Sequence, residues 1–271
     1  MDRSAIEAIA DKNTLIEINE HLVQSGIPVA ILPENARTYK YEDLDRFRSR
    51  FRGLMSTSSI NDFGTYVELH KEEHSACFID IKNTKAAAVL NLGNKNMPGH
   101  CDHRSELTLK KTSGYDALMG FHCYKHSQKE FTEWLEDWSD NIKVLDGEEN
   151  PLELKKAIGA LRRLTIDAHS EQSHTEENFK SSRSTLESVE AKSKGNTLPA
   201  WLEFTVQPFA DFEQRTIRLR VSVLTGGSKP VLIASIVGLE VLKQSLAEEF
   251  QQKVEAKLDG IMPTYLGVFS A

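Results

Sequence analysis

Cysteine is scarce in this sequence, and long apolar runs are missing from it. Three cysteines, Cys77, Cys101 and Cys123, occur in 271 residues, and such an odd, sparse set argues against a disulfide framework and for reduced thiols. The longest apolar run, residues 231–239, is too short to cross a membrane. The N-terminus carries an acid where a secretory signal has basic residues. We therefore expect a soluble cytoplasmic protein without a membrane partner.

Nucleotide-binding motifs and an excess of positive charge are also missing. Neither GxxxxGK[ST] nor a GxGxxG after a strand occurs, and we expect no cofactor. The 33 basic residues are outnumbered by 40 acidic ones, which gives a formal net charge of −7. This balance argues against a nucleic-acid binder that relies on overall charge, but it leaves a local basic patch open.

Helical periodicity and strand-like alternation are both present in the first part of the chain. Apolar residues recur at helical spacing in three early segments, which we predict to be helices: residues 4–25, 41–54 and 57–71. Gly53 is expected to end the second of them. Three later segments predict a β-hairpin and a third strand of a small antiparallel sheet: residues 77–81, 86–92 and 106–110.

Further helices are predicted before residue 170. Ser113 is a candidate cap for a short helix, and Ser127 with Glu130 fits a capping box for a helix that carries Trp134 and Trp138 as core anchors. Pro151 suits the first turn of another helix that reaches about residue 168. A polar stretch over residues 167–183 then indicates a boundary between two lobes.

The last third of the chain is rich in strand-like segments. Loose or strict alternation predicts an antiparallel meander over four segments: residues 185–194, 200–206, 216–223 and 231–236. Apolar residues every four positions from Leu242 to Leu258 predict a long closing helix, followed by an extended tail. The predicted fold is α+β, with a helix-rich lobe at residues 1–170 that holds a three-stranded sheet and a β lobe at residues 171–271.

The segment with the most ionisable and nucleophilic side chains is Pro98–Arg104. It holds Cys101 together with His100, Asp102, His103 and Arg104. A carboxylate next to an imidazole can orient that imidazole as a base, so one hypothesis is a metal-dependent hydrolase. The alternative, which we favour, is a structural loop in which Asp102 pairs with Arg104, because no further acid or nucleophile can be assigned. The loop is retained as a candidate binding site.

A zinc site would need a second group of ligands. His122, Cys123 and His126 offer imidazole and thiolate donors. Their spacing matches no zinc ribbon or zincin pattern. The alternative is a purely structural role, with hydrogen-bonded histidines and unreactive thiols. We therefore assign no metal ligand and no catalytic residue.

Arginines form two groups that are candidates for binding phosphate or acidic partners: Arg46, Arg48, Arg50 and Arg52, and Arg218 and Arg220. Charge runs are usually solvated faces. If the two groups met, they would form a basic groove for single-stranded nucleic acid, with Trp201 or Phe204 as stacking candidates.

A series of short motifs follows in a fixed order along the chain: Gly99-His100, Asp102-His103-Arg104, Leu107-Thr108-Leu109, Thr112, Ser127-Gln128-x-Glu130-Phe131, Leu135-Glu136-Asp137, Phe179-Lys180-Ser181, Pro208-Phe209 and Arg218-Leu219-Arg220. This ordered series resembles the YfdQ-like family of phage and prophage proteins. The resemblance covers most of the chain from about Phe63. It implies a phage or prophage accessory gene more than an activity, and its pattern does not include His122, Cys123 or His126.

Three functions follow as hypotheses. The favoured one is a non-enzymatic phage or prophage accessory protein that self-assembles or binds a host or phage macromolecule. The second is a nucleic-acid-binding factor in replication, recombination or defence evasion, and the third is a metal-dependent hydrolase on the His100–His103 loop. The expected partners are further copies of the chain, a host or phage protein, or nucleic acid.

Overall fold

The computed structural model describes residues 14–21, 24, 46–164, 197–224 and 230–270. The chain divides into two compact units, residues 1–51 and 52–271. In the first unit, residues 14–21 and residue 24 are helical, within the opening helix predicted from the sequence.

In the second unit the elements are, in chain order, β1 (Gly53–Thr57), α1 (Ile60–His70), β2 (Ala76–Asp80), β3 (Lys85–Val89), β4 (His103–Thr108), α2 (Ser113–Phe121), β5 (His126–Ser127), α3 (Gln128–Asp137), β6 (Ile142–Leu145), β7 (Pro151–Leu152), α4 (Leu154–Arg162), β8 (Trp201–Val206), β9 (Arg215–Leu224), β10 (Val231–Ile236), α5 (Leu239–Leu258) and β11 (Thr264–Leu266).

A five-stranded sheet follows the order β1-β4-β3-β2-β11. The predicted antiparallel arrangement of β2, β3 and β4 is confirmed. The sheet is larger than predicted, because β1 pairs in parallel with β4 and β11 pairs in parallel with β2. Both added strands come from segments remote in sequence, and local alternation carries no information about such partners.

A six-stranded antiparallel sheet follows the order β5-β10-β9-β8-β6-β7. It contains β8, β9 and β10 in consecutive antiparallel order, which are three of the four strands of the predicted meander. The predicted boundary near residue 170 lies outside the described residues, as does the predicted strand at 185–194. Strands on both sides of that boundary hydrogen-bond to each other, since β6 pairs with β8. The sheet is therefore not confined to either predicted lobe.

The helix predicted over residues 41–54 is wrong in its described part. Residues 46–52 contain bends and no helix, and Gly53 begins β1, where its N–H donates to the carbonyl of Asp102 at 3.1 Å. The apolar residues behind the prediction, Phe47, Phe51 and Leu54, are all at least 60% exposed. An amphipathic helix is stabilised mainly by burial of its apolar face, and these side chains remain outside the core.

Helix starts agree with the sequence at α3 and differ at α2 and α4. The Ser127–Glu130 capping box begins α3, as predicted, and α1 begins after its cap Ser59, inside the segment 57–71 predicted to be helical. The cap of α2 is Thr112 and not Ser113. Pro151 belongs to β7, opposite Leu145, and α4 begins at Leu154. Proline is tolerated in β7 because this strand is at the edge of its sheet.

The long helix α5 joins the core through the stripe that the sequence predicts. Leu246, Phe250, Val254 and Leu258 are buried and repeat every four residues. The helix packs against α1, where Nζ of Lys257 donates to Oδ1 of Asn61 at 2.8 Å. Helices and mixed or antiparallel sheets share one core, so the α+β class is confirmed. Among the described residues, we find no helix with the length and apolar character that crossing a bilayer requires.

Candidate functional site

The histidine loop between β3 and β4 is organised by Asn91. Nδ2 of this buried side chain donates to Oδ1 of Asp102 at 2.9 Å, and its Oδ1 accepts the N–H of His103 at 3.1 Å. Its backbone carbonyl accepts the N–H of Cys101 at 3.3 Å. Asn91 thus holds the loop at three consecutive residues. Sequence reasoning missed Asn91, because an asparagine after an apolar strand carries no signal for contacts ten residues away.

The remaining loop contacts are also internal. Nε of Arg104 donates to the carbonyl of Cys101 at 2.5 Å, and Cys101 has a left-handed φ of 54°. Gly99 donates its N–H to the carbonyl of Leu92, and a Cβ placed on Gly99 would meet the carbonyl oxygen of Asn91 at 1.9 Å. These contacts make the loop a tightly folded connection between two strands.

The two predicted loop histidines lie in different environments. His103 is on β4 and only 1% exposed, whereas His100 is exposed on the loop. Among the residues that the structure describes, no three or more His, Cys, Asp or Glu side chains are grouped so that they could hold a metal ion. The hydrolase and zinc hypotheses therefore receive no support from this part of the chain.

His103 belongs to an aromatic cluster with α1. Nε2 of its imidazole lies 3.2 Å from the hydroxyl of Tyr66, and the ring of His70 packs 5.6 Å from the His103 ring and 4.4 Å from the Tyr66 ring. Burial lowers the pKa of His103, and the neighbouring His70 lowers it further, against the opposing effect of Glu72 and Asp102. The cluster therefore favours a neutral His103.

The second histidine cluster is engaged by backbone groups. Nδ1 of His122 accepts the N–H of Ile236 at 2.9 Å, so in the neutral ring the proton resides on Nε2. Sγ of Cys123 lies 3.3 Å from this protonated Nε2 and 3.4 Å from Nδ1, which already accepts the N–H of Ile236, so in this tautomer neither nitrogen is a free base toward the thiol. The two histidines lie on different elements, because α2 ends at Phe121 with His122 as its C-cap and His126 is in β5.

The predicted arginines fall into both units. Arg46, Arg48 and Arg50 belong to the first unit, and Arg52, Arg218 and Arg220 belong to the second. The guanidinium carbon of Arg218 lies 4.2 Å from the ring centroid of Trp201, and its Nη2 lies 2.6 Å from Oε1 of Glu149.

Arg220 is exposed opposite Trp201 on the neighbouring strand. Phe204 is fully buried, so it is not available for stacking, and Trp201 is the predicted aromatic that remains partly exposed.

The two ends of the five-stranded sheet form a feature that the sequence did not indicate. Among the described strands, β1 and β11 have one neighbour each. These edges carry apolar side chains in solvent: Leu54 is 60% exposed, Leu266 58% and Tyr265 54%. Leu54 was assigned to a helix and residues 261–269 to an extended tail, because short parallel strands have no local pattern of their own.

Comparison with known proteins gives a family. The model of a family described as "Uncharacterized conserved protein (DUF2303)" matches residues 2–269. The chain belongs to this family. No curated protein and no solved structure matches it. The family description states no activity.

Proposed function

We propose that this DUF2303 protein is a non-enzymatic phage or prophage accessory protein that acts by self-assembly in the cytoplasm of a bacterial host. The phage context is supported by the ordered motifs from Gly99-His100 to Leu135-Glu136-Asp137, which resemble the YfdQ-like family. Self-assembly is supported by the exposed apolar residues on the two open edges of the five-stranded sheet.

An open strand edge is a template for pairing with another chain. Proteins that stay monomeric protect such edges with charged residues, prolines or bulges. The sequences of β1, GLMST, and β11, TYL, contain no charge and no proline. Leu54, Tyr265 and Leu266 add apolar area that would leave water on association. Within the strands themselves, these edges therefore lack the charges and prolines that block pairing with another chain.

The histidine loop supports a structural role. Asn91 and Arg104 direct their polar groups to the backbone and side chains of the loop itself. His103 is buried against Tyr66, so its ring does not face a substrate in solvent. A loop whose polar groups serve its own fold suits a protein that works through its surface.

Native mass by light scattering, with absorbance at 260 nm read on the same peak, tests this proposal. We expect a defined assembly free of nucleic acid whose mass falls on dilution. Leu266→Lys should shift it toward the monomer, because a charge at an open edge opposes strand pairing. Leu69→Lys is the matched control, since Leu69 is 76% exposed on α1 and should leave the mass unchanged. A monomer at all concentrations would refute self-assembly.

The second candidate function is binding of single-stranded nucleic acid. It is favoured by the stacked pair of Arg218 and Trp201 beside the exposed Arg220, since aromatic faces and arginines together bind unpaired bases and phosphates. The ion pair of Arg218 with Glu149 and the acidic net charge weigh against it.

A gel shift with a single-stranded oligonucleotide at two salt concentrations tests this candidate. Binding should weaken steeply as salt rises, because protein binding releases cations from the phosphates and this release is less favourable at high salt concentration. Trp201→Ala and Arg220→Ala should each weaken it, while Lys129→Ala, at a side chain 82% exposed, should not. No shift at low salt would eliminate the candidate.

A further inference from the structure

The open edges of the five-stranded sheet are related by strand direction. β1 runs parallel to β4, and β11 runs parallel to β2. Two antiparallel steps, from β4 to β3 and from β3 to β2, give β4 and β2 the same direction. The strands at the two opposite edges, β1 and β11, therefore run the same way.

The backbone groups at each open edge follow from the ladder bonds. Gly53 donates its N–H to the carbonyl of Asp102 in the chain that leads into β4, so the alternate residues Leu54 and Ser56 point their N–H and C=O away from β4. At the other edge, the carbonyl of Pro263 and the N–H of Gly267 bond to β2.

Thr264 and Leu266 lie between these bonded positions and point their backbone groups away from β2 by the same alternation. Among the described residues, no strand pairs with the outward backbone groups of Leu54 and Ser56 at one edge or of Thr264 and Leu266 at the other, and both edges run in the same direction.

We propose that β1 of one copy pairs in parallel with β11 of the next copy, so that the sheet continues from molecule to molecule. This proposal rests on the proposed self-assembly and names its contact. In the register that places Leu54 beside Tyr265 and Met55 beside Leu266, side chains keep to their own faces of the sheet. Leu54 and Tyr265 lie on the face of Phe78, and Met55 and Leu266 lie on the face of Ser105 and Ile79.

A second copy fits these edges because the same sheet supplies both of them. The N–H and C=O groups of Leu54 have partners of matching direction in Thr264 and Leu266. The pairing joins two different surfaces, so it is a head-to-tail contact that builds a ring or a filament and not a two-fold dimer. Leu54, Tyr265 and Leu266, each more than half exposed, become covered on both sides of the contact.

Disulfide trapping between two variants that each carry one introduced, exposed cysteine tests the contact. Both carry Cys123→Ser, which removes the exposed thiol and leaves the buried Cys77 and Cys101. One carries Leu54→Cys and the other Tyr265→Cys. Within one copy these positions are four strand spacings apart, roughly 19 Å, which is too far for a disulfide. We expect oxidation of the mixture to give a linked dimer, and the double variant to give a ladder of linked oligomers.

The cross-linking pattern separates the β1–β11 contact from other modes of self-assembly. The control pairs Leu69→Cys with Tyr265→Cys and should give no linked dimer, because Leu69 is on α1. Linked dimers formed by either single variant alone would show a two-fold contact and overturn the proposal. An assembly by light scattering without 54–265 cross-links would overturn this contact and leave self-assembly standing. A monomeric protein without cross-links would overturn both.

Discussion

The hydroxyl of Tyr66 and the imidazole of His103 meet at 3.2 Å, although 37 residues separate them in the chain. The contact connects α1 to β4, and it places the buried end of the histidine loop against a helix and not toward solvent. The segment with the densest set of reactive side chains is thereby tied to α1 through His103, in addition to the three contacts that Asn91 makes to it.

Tyr66→Phe should lower the free energy of unfolding by about 1 kcal/mol, the usual net value of one such hydrogen bond. The ring contact with His70 is retained, so the change isolates the hydroxyl. Tyr124→Phe, at an exposed tyrosine, is the matched control and should stay within about 0.5 kcal/mol of the parent. Urea unfolding of the three proteins measures both values, and equal losses would contradict the assigned role.

Stability should fall as the pH decreases from 7.5 to 5.5. The pKa of His103 in the folded protein is below its ordinary value of 6.5, so below about that pH the unfolded chain binds more protons than the native one. The contribution of His103 to stability is therefore full when the pH is above the pKa of His103 in the unfolded chain. It is lost as the pH falls toward the lower pKa of His103 in the folded protein. Urea midpoints across this range measure the loss.

His103→Gln should flatten this pH dependence, and His100→Asn, at an exposed loop histidine, should leave it intact. NMR titration of the imidazole signals gives an independent check, since His103 should titrate below pH 6.5. A His103 that titrates at or above this value would contradict the interpretation of the cluster.

Gly99→Ala should destabilise the protein strongly, by more than 2 kcal/mol, because its Cβ would overlap the carbonyl of Asn91 and force the loop open. Gly120→Ala is the matched control. It is in α2, a Cβ there meets nothing within 4 Å, and alanine should add about 0.5–1 kcal/mol to stability. Thermal unfolding of the parent and the two variants measures both changes in stability. Equal effects would mean that the loop does not need the close approach at Gly99.

Glu249→Gln should cost about 1.5–3 kcal/mol, the range for hydrogen bonds to charged groups. Glu249 is only 16% exposed and pairs with Arg215, which connects α5 to β9. Glu133→Gln removes half of an exposed pair with Lys129 and should change stability by less than about 0.5 kcal/mol. Urea unfolding measures both, and a Glu249→Gln protein as stable as the control would contradict a stabilising role for the pair.

Local pattern was enough for most of the elements. The stripe along α5, the capping box at Ser127 and the alternation in β9 are produced by residues within a few positions of each other. The same kind of pattern failed at residues 46–54, where apolar spacing is helical but Phe47 and Phe51 remain exposed. Periodicity indicates which residues could share a face, and whether that face is buried depends on remote segments.

The sequence by itself determined the α+β class, the hairpin, the meander and the window of residues at His100–Arg104. Only the tertiary structure decided that Asn91 and Tyr66 organise that window, and that β1 and β11 end one sheet in the same direction. The physical reason is the range of the interactions. Caps and amphipathic faces are short-range and leave a local pattern, whereas parallel strand pairing and buried polar contacts join residues tens to hundreds of positions apart.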